Sequence, residues 1–129
     1  MNKILVEVSV GELLDKISIL EIKSEKIKDP EKLKYIKDEY KILKDQLNKN
    51  IKNYNEIESL YKSLKEINSK LWVIEDDKRL CENNSEFGEK FIKLSRDVHF
   101  LNDERARLKL EINNKTGSKI REIKEYTKY

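Results

Sequence analysis

The sequence has few of the residues that punctuate or staple a chain: one proline, three glycines, one cysteine and one histidine. A single cysteine excludes an internal disulfide and a zinc cluster, and it fits a reducing, cytoplasmic setting. The lone His99, with no Glu-x-x-His, excludes the usual di-iron pattern of helical bundles. Gly11, Gly88 and Gly117 stand apart, so they cannot build a phosphate-cradling loop. No apolar run exceeds the four residues Leu71-Trp72-Val73-Ile74, with Ile4-Leu5-Val6 the longest near the N-terminus, far short of the roughly 18 residues of a membrane span, and no signal-peptide pattern opens the chain. Charge of one sign is scarce too. Twenty-eight Lys and Arg against 25 Asp and Glu leave +3, with no long like-charged block, so neither nucleic acid nor an anionic membrane is an expected partner.

What is present is charge and apolar periodicity. Charged residues are 41% and hydrophobic ones 37% of 129 residues, the balance of long helices that each offer one narrow apolar stripe within a single domain spanning 1–129. Ser9 and Glu12 form a capping box that opens a first helix running to about Lys28. Asp29-Pro30 opens a second, to about Asn48. Asn55 with Glu58 opens a third over about 56–83. Ser85 opens a fourth that Gly117 ends near Lys115.

The stripes agree with these boundaries. Leu33, Ile36, Tyr40, Leu43 and Leu47 alternate at spacings of three and four in the second helix. Ile57, Leu60, Leu64, Ile67, Leu71, Ile74, Lys78 and Cys81 do so in the third. Phe87, Phe91, Leu94, Val98, Leu101, Arg105, Leu108 and Ile112 do so in the fourth, and Leu13, Ile17, Leu20, Ser24 and Ile27 in the first. The expected fold is all-α: an antiparallel, coiled-coil-like bundle of about four helices in two hairpins, the second longer by roughly 12–15 Å. Residues 3–10 partly alternate and are β-branched, so a short N-terminal strand pairing with residues 119–124 is also expected.

Polar residues on the stripes are the first candidates for function. Arg105 needs a carboxylate if buried, and antiparallel levels place Glu21 near it. The same arithmetic sets Arg96 against Asp76 or Asp77. Arginine is scarce, five residues against 23 lysines and all at or beyond position 79, so its planar fork for carboxylate or phosphate has added weight here. Glu75, Asp76 and Asp77 follow one another at about 100° around a helix, so they cannot converge on one ion, and neither metal nor cofactor is implied. Cys81 reads as a small buried hydrophobe. Lys34, Lys37, Lys41 and Lys44 form a basic ridge, but Asp38 and Asp45 at helical spacing make it a solvated face.

The segments VSVGELLDKISILEIK (8–23), LWVIEDD (71–77) and NDERA (102–106), with Cys81-Glu82, Phe87-Gly88 and Phe91-Ile92, resemble a bacterial family known only as a domain of unknown function. Where that family has Asp after the tryptophan, this chain has Val73. The resemblance implies a short, stand-alone, soluble bacterial protein loosely associated with cell-surface polysaccharide genes, and it supplies no catalytic residues. It places Asp15, Lys16, Glu21, Lys23, Asp76, Asp77, Arg96, Asn102 and Arg105 in the family's motifs, with Glu75 and Asp103 beside them. The leading expectation is a non-enzymatic interaction or scaffold module that self-associates, as a homodimer or with another protein, through the longer hairpin. The alternative is an enzyme or binder for an anionic metabolite in an Arg and carboxylate cleft.

Overall fold

A computed structural model describes residues 2–128. Four helices pack together: α1 (Val10–Lys26), α2 (Pro30–Asn50), α3 (Glu58–Asn83) and α4 (Glu89–Thr116), with a single 3₁₀ turn at Tyr54–Glu56 before α3. The architecture is all-α, as the stripes require. Ser9 caps α1, its hydroxyl accepting from the Glu12 N–H at 3.0 Å, and Asp29 caps α2 by accepting from the Glu31 N–H. Gly117 ends α4 in the left-handed region at φ 66, where the Ser118 N–H reaches the Asn113 carbonyl.

Three local expectations change. Asn55 does not cap α3, because it lies inside the 3₁₀ turn and Ile57 occupies the N-cap without a side-chain bond. Ser85 ends α3 instead of opening α4: it adopts φ 54, and the Glu86 N–H closes back on the Cys81 carbonyl at 2.8 Å. No strand forms among the described residues. The tail after Gly117 does fold back, but side chains hold it. Ser118 Oγ accepts from the Val10 N–H, and Glu122 pairs with Lys109, so no backbone ladder reaches residues 3–8.

The core explains the order of the helices. Leu14 and Ile17 of α1, Leu47 of α2, Ile57, Tyr61 and Leu64 around α3, and Leu108 and Ile112 of α4 form one buried cluster. α1 touches the three other helices. Its N-terminal turn meets Lys109 and Asn113 of α4, its middle meets Arg105 and Asn68, and its C-terminal half meets Tyr61 and Lys65 of α3. Lys109 and Tyr61 both lie toward the base of the α3–α4 hairpin, so α1 crosses that base obliquely from α4 to α3.

The hairpin outruns what crosses it. At about 1.5 Å per residue, 26 and 28 residues make α3 and α4 about 39 and 42 Å long, against about 26 Å for the 17 residues of α1. Along α4 one continuous stripe is therefore buried at Leu108 and Ile112 but only half-buried at Leu94, Val98 and Leu101. Beyond α1 the two helices have only each other.

Candidate functional site

The oblique crossing brings polar side chains from three helices to one point. Asp15 on α1 is 2% exposed, and both of its oxygens are engaged. Arg105 of α4 donates from Nε to Oδ1 at 2.9 Å and from Nη2 to Oδ2 at 2.6 Å, a two-point match of guanidinium to carboxylate. Asn68 of α3 donates to Asp15 Oδ1 at 2.9 Å and to the Ser18 hydroxyl at 2.8 Å. Burial alone would raise the Asp15 pKa. The hydrogen bonds from Arg105 and Asn68 and the charges of Arg105 and Lys109 outweigh it and hold the carboxyl below its ordinary range.

Two further clusters flank this one. Glu21 accepts from Tyr61 Oη at 2.6 Å and from Tyr40 Oη at 3.4 Å, and Lys65 lies 3.0 Å away. Burial raises the Glu21 carboxyl, but Tyr61 and Lys65 bring it below its ordinary value, while burial and Glu21 push the Tyr61 phenol far above its own. At the other end of α1, Lys109 is gripped by Glu12 at 2.7 Å and Glu122 at 2.9 Å. Asn113 Oδ1 accepts from the Gly11 N–H at 2.7 Å, a helix cap supplied from another helix.

Arg105 therefore pairs with Asp15 and not with Glu21. Level arithmetic presumes aligned helices, and α1 is not aligned with α4. Arg96 is exposed on the hairpin, and among the described residues no ion pair joins it to Asp76 or Asp77. Ser24 is also exposed, its hydroxyl donating to the Glu21 carbonyl.

Other candidate residues are scattered. Lys16 is exposed, 3.9 Å from Glu12. Lys23 is half-buried in the last turn of α1, and Asp77 is half-buried on α3. Asn102 accepts from Arg105 Nη1 at 3.4 Å. Asp103 borders a groove between α4 and the C-terminal tail. Lys78 is 5.8 Å from the Phe91 ring centre.

Ser18, Tyr61, Lys65, Asn68, Lys109 and Asn113 were not among the candidates, yet a signal for them exists. Residues 11, 15 and 18, residues 61, 65 and 68, and residues 105, 109 and 113 form three more series at spacings of three and four, running beside the apolar stripes. A helix in contact with two neighbours buries that second row.

Beside Arg105 lies an open cleft of about 480 Å³ between α1 and α3. Ile19, Ile22, Leu71 and Trp72 wall it, Asn68 and Arg105 form its inner end, and the exposed Glu75, Asp76 and Arg79 stand at its rim. The structure thus brings Glu75, Asp76 and Arg105 to one cavity and leaves Asp77 and Arg96 outside it. Among the described residues no three His, Cys, Asp or Glu side chains converge as metal ligands would. No helix is long and apolar enough to cross a membrane.

The chain belongs to the family of unknown function DUF6165, whose family model matches residues 4–129. No curated protein and no solved structure matches it.

Proposed function

We propose that this member of a family of unknown function is a non-enzymatic helical interaction module, and that two copies join through the distal halves of α3 and α4. The observation that carries the reading is the apolar surface of that arm, where Leu80, Phe87 and Ile92 are each more than half exposed and Val73 and Phe100 nearly so. Phe87 and Phe91 stack edge to face at the tip, and Val73, Ile74, Phe100 and Leu101 border an apolar groove of about 610 Å³ further down.

Magnitudes set the strength of such a contact. Finishing the burial of a half-exposed Leu, Ile or Phe contributes about 1 kcal/mol. Five such residues per copy give about 10 kcal/mol for a pair, inside the range of about 4–15 kcal/mol that association costs. Polar contacts then decide the balance, and assembly should depend on concentration. The internal polar clusters support a structural role for themselves. Asp15 and Glu21 are shifted down and Tyr61, Lys65 and Lys109 up, all away from neutrality, so these groups offer no proton donor or acceptor suited to catalysis near pH 7.

Sedimentation equilibrium over a hundredfold concentration range should show a monomer–dimer equilibrium. Leu80→Glu combined with Ile92→Glu should leave helical circular dichroism intact and abolish the dimer. A wild-type chain that stays monomeric throughout overturns the reading.

A second reading, a binder for a small ligand with an acidic group, rests on the cleft at Arg105. Asp15 engages Nε and Nη2, leaving Nη1 with one long bond to Asn102 and a side chain that is 29% exposed. Saturable binding of succinate, lost in Arg105→Ala, would support it. No binding of any carboxylate or phosphate would remove it.

A further inference from the structure

We propose that the cleft beside Arg105 takes a free α-amino acid with an apolar side chain, a ligand that is anionic at one end and cationic at the other. The proposal rests on the second reading above for the anionic end and adds a recognition element for the ammonium.

Charge balance argues against a simple anion. Asp15 neutralises Arg105, so that guanidinium offers a directed N–H at Nη1 and no net charge. Arg79 contributes one positive charge, and Glu75 and Asp76 contribute two negative ones. A dianion would meet a net negative rim, while a simple cation would leave the Arg79 guanidinium and the Arg105 Nη1 N–H without an acceptor. A ligand carrying both signs satisfies both ends.

The rim charges are also unspent. On these helices some opposite charges four residues apart close on one another, as Glu58 with Lys62 at 3.4 Å, Glu66 with Lys70 at 3.6 Å and Lys93 with Asp97 at 2.8 Å, and others, such as Lys78 and Glu82, stay solvated. Glu75 and Arg79 have the same spacing, and among the described residues neither they nor Asp76 form an ion pair. Solvated charges beside a cavity can exchange water for a ligand without breaking an internal bond. Asn68 adds an acceptor, because its amide nitrogen is committed to Asp15 and Ser18 and its carbonyl oxygen is left to bond an ammonium.

The walls set the rest of the ligand. Ile22, Leu71 and Trp72 are apolar, and a volume of about 480 Å³ lies within the roughly 300–1,000 Å³ of small-molecule sites. A branched aliphatic side chain fits such walls by burying its own apolar area.

Trp72 is the only tryptophan and lines the cleft, so its fluorescence reports occupancy directly. Titration of the full chain with L-leucine should give a saturable change. N-acetyl-leucine, which lacks the ammonium, and leucine amide, which lacks the carboxylate, should each bind at least tenfold more weakly. Glu75→Gln with Asp76→Asn should weaken leucine at least tenfold and leave N-acetyl-leucine binding at least as tightly as before. These rim residues are exposed and unpaired, so that variant should keep wild-type circular dichroism. If succinate or N-acetyl-leucine binds as tightly as leucine, the zwitterion proposal falls and the anion reading stands. If leucine amide binds as tightly, both fall. No saturable binding at tens of millimolar also overturns both.

Discussion

Asp15 shows how much of the stability can hang on one side chain. Removing one partner of a buried ion pair costs about 3–5 kcal/mol, because the other charge stays out of water without compensation. Arg105 keeps 29% exposure and can partly rehydrate, so Asp15→Ala should cost about 3 kcal/mol, read from urea unfolding with an unchanged slope. Replacing both partners, Asp15→Leu with Arg105→Met, should cost clearly less than the sum of the single changes, and additivity would show that the pair is not coupled. The same residues set the pH window. The folded chain binds the Asp15 and Glu21 protons more weakly than the ordinary values of 3.8 and 4.5 imply. Their contribution is thus complete above those values and is lost as pH falls through the still lower folded ones. Tyr61, Lys65 and Lys109 hold their protons more tightly than the ordinary 10.0 and 10.5, so their contribution is complete below those values and is lost as pH rises beyond them. Urea midpoints should therefore fall below about pH 4 and above about pH 10, with a shallower acid limb in Asp15→Asn. An acid limb as steep in that variant would assign the loss to other carboxylates.

Gly11 carries the argument to the scale of elements. Alanine within a helix is ordinarily worth about 1 kcal/mol more than glycine. Here a Cβ would sit 2.5 Å from the Lys109 carbonyl oxygen and 3.0 Å from Asn113 Oδ1, and the carbonyl belongs to α4's backbone and cannot swing aside. The collision should win, with Gly11→Ala lowering stability by about 1–3 kcal/mol in thermal unfolding; a rise in melting temperature would mean that α1 and α4 are not so close. The sequence marks Gly11 only as a residue in a first turn, since a contact between residues about a hundred positions apart leaves no local trace. Apolar spacing was a better guide: it located four helices because one row of side chains must be buried whatever the crossing angle. Partners were less legible. Pairing Arg105 with Glu21 requires aligned helices, and the oblique path of α1 substitutes Asp15. The second polar rows, such as 105, 109 and 113, were readable in spacing but lacked a reason to be buried until α1 was seen to lie against two helices at once. The N-terminal alternation at 3–10 failed for a different reason: a strand pattern specifies a strand only where a ladder partner exists, and here Ile4, Leu5 and Val6 remain exposed.

The whole molecule exposes more surface than its mass explains. A compact monomer of 15.4 kDa should expose about 7,200 Å², and this chain exposes 9733 Å², about a third more. The extended segments before α1 and after Gly117 supply part of the excess, and the arm of α3 and α4 beyond α1 supplies another. A standard interface removes about 800 Å² from each partner, so the excess could cover a dimer contact and still leave the tails solvated. Such a shape divides stability unevenly. Around Leu14, Leu64 and Ile112 three or four helices exclude water together, whereas residues 75–100 are held by a two-helix contact whose apolar side chains, Cys81 aside, are half-buried or exposed. Isolated helix pairs lack the burial to hold their hydrogen bonds against solvent, so the arm should open sub-globally before the base unfolds. Hydrogen exchange in dilute solution should show slow amides near Leu14, Leu64 and Ile112 and faster ones over 75–83 and 89–100. Raising the protein concentration through the dimerisation range should slow the arm selectively, because a ligand that binds only the closed state stabilises it in proportion to its occupancy, and here the ligand is a second copy. Arm amides as slow as the base in a dilute monomer would mean that the two-helix contact is sufficient by itself. Arm amides that stay fast at every concentration would place the second copy elsewhere on the surface.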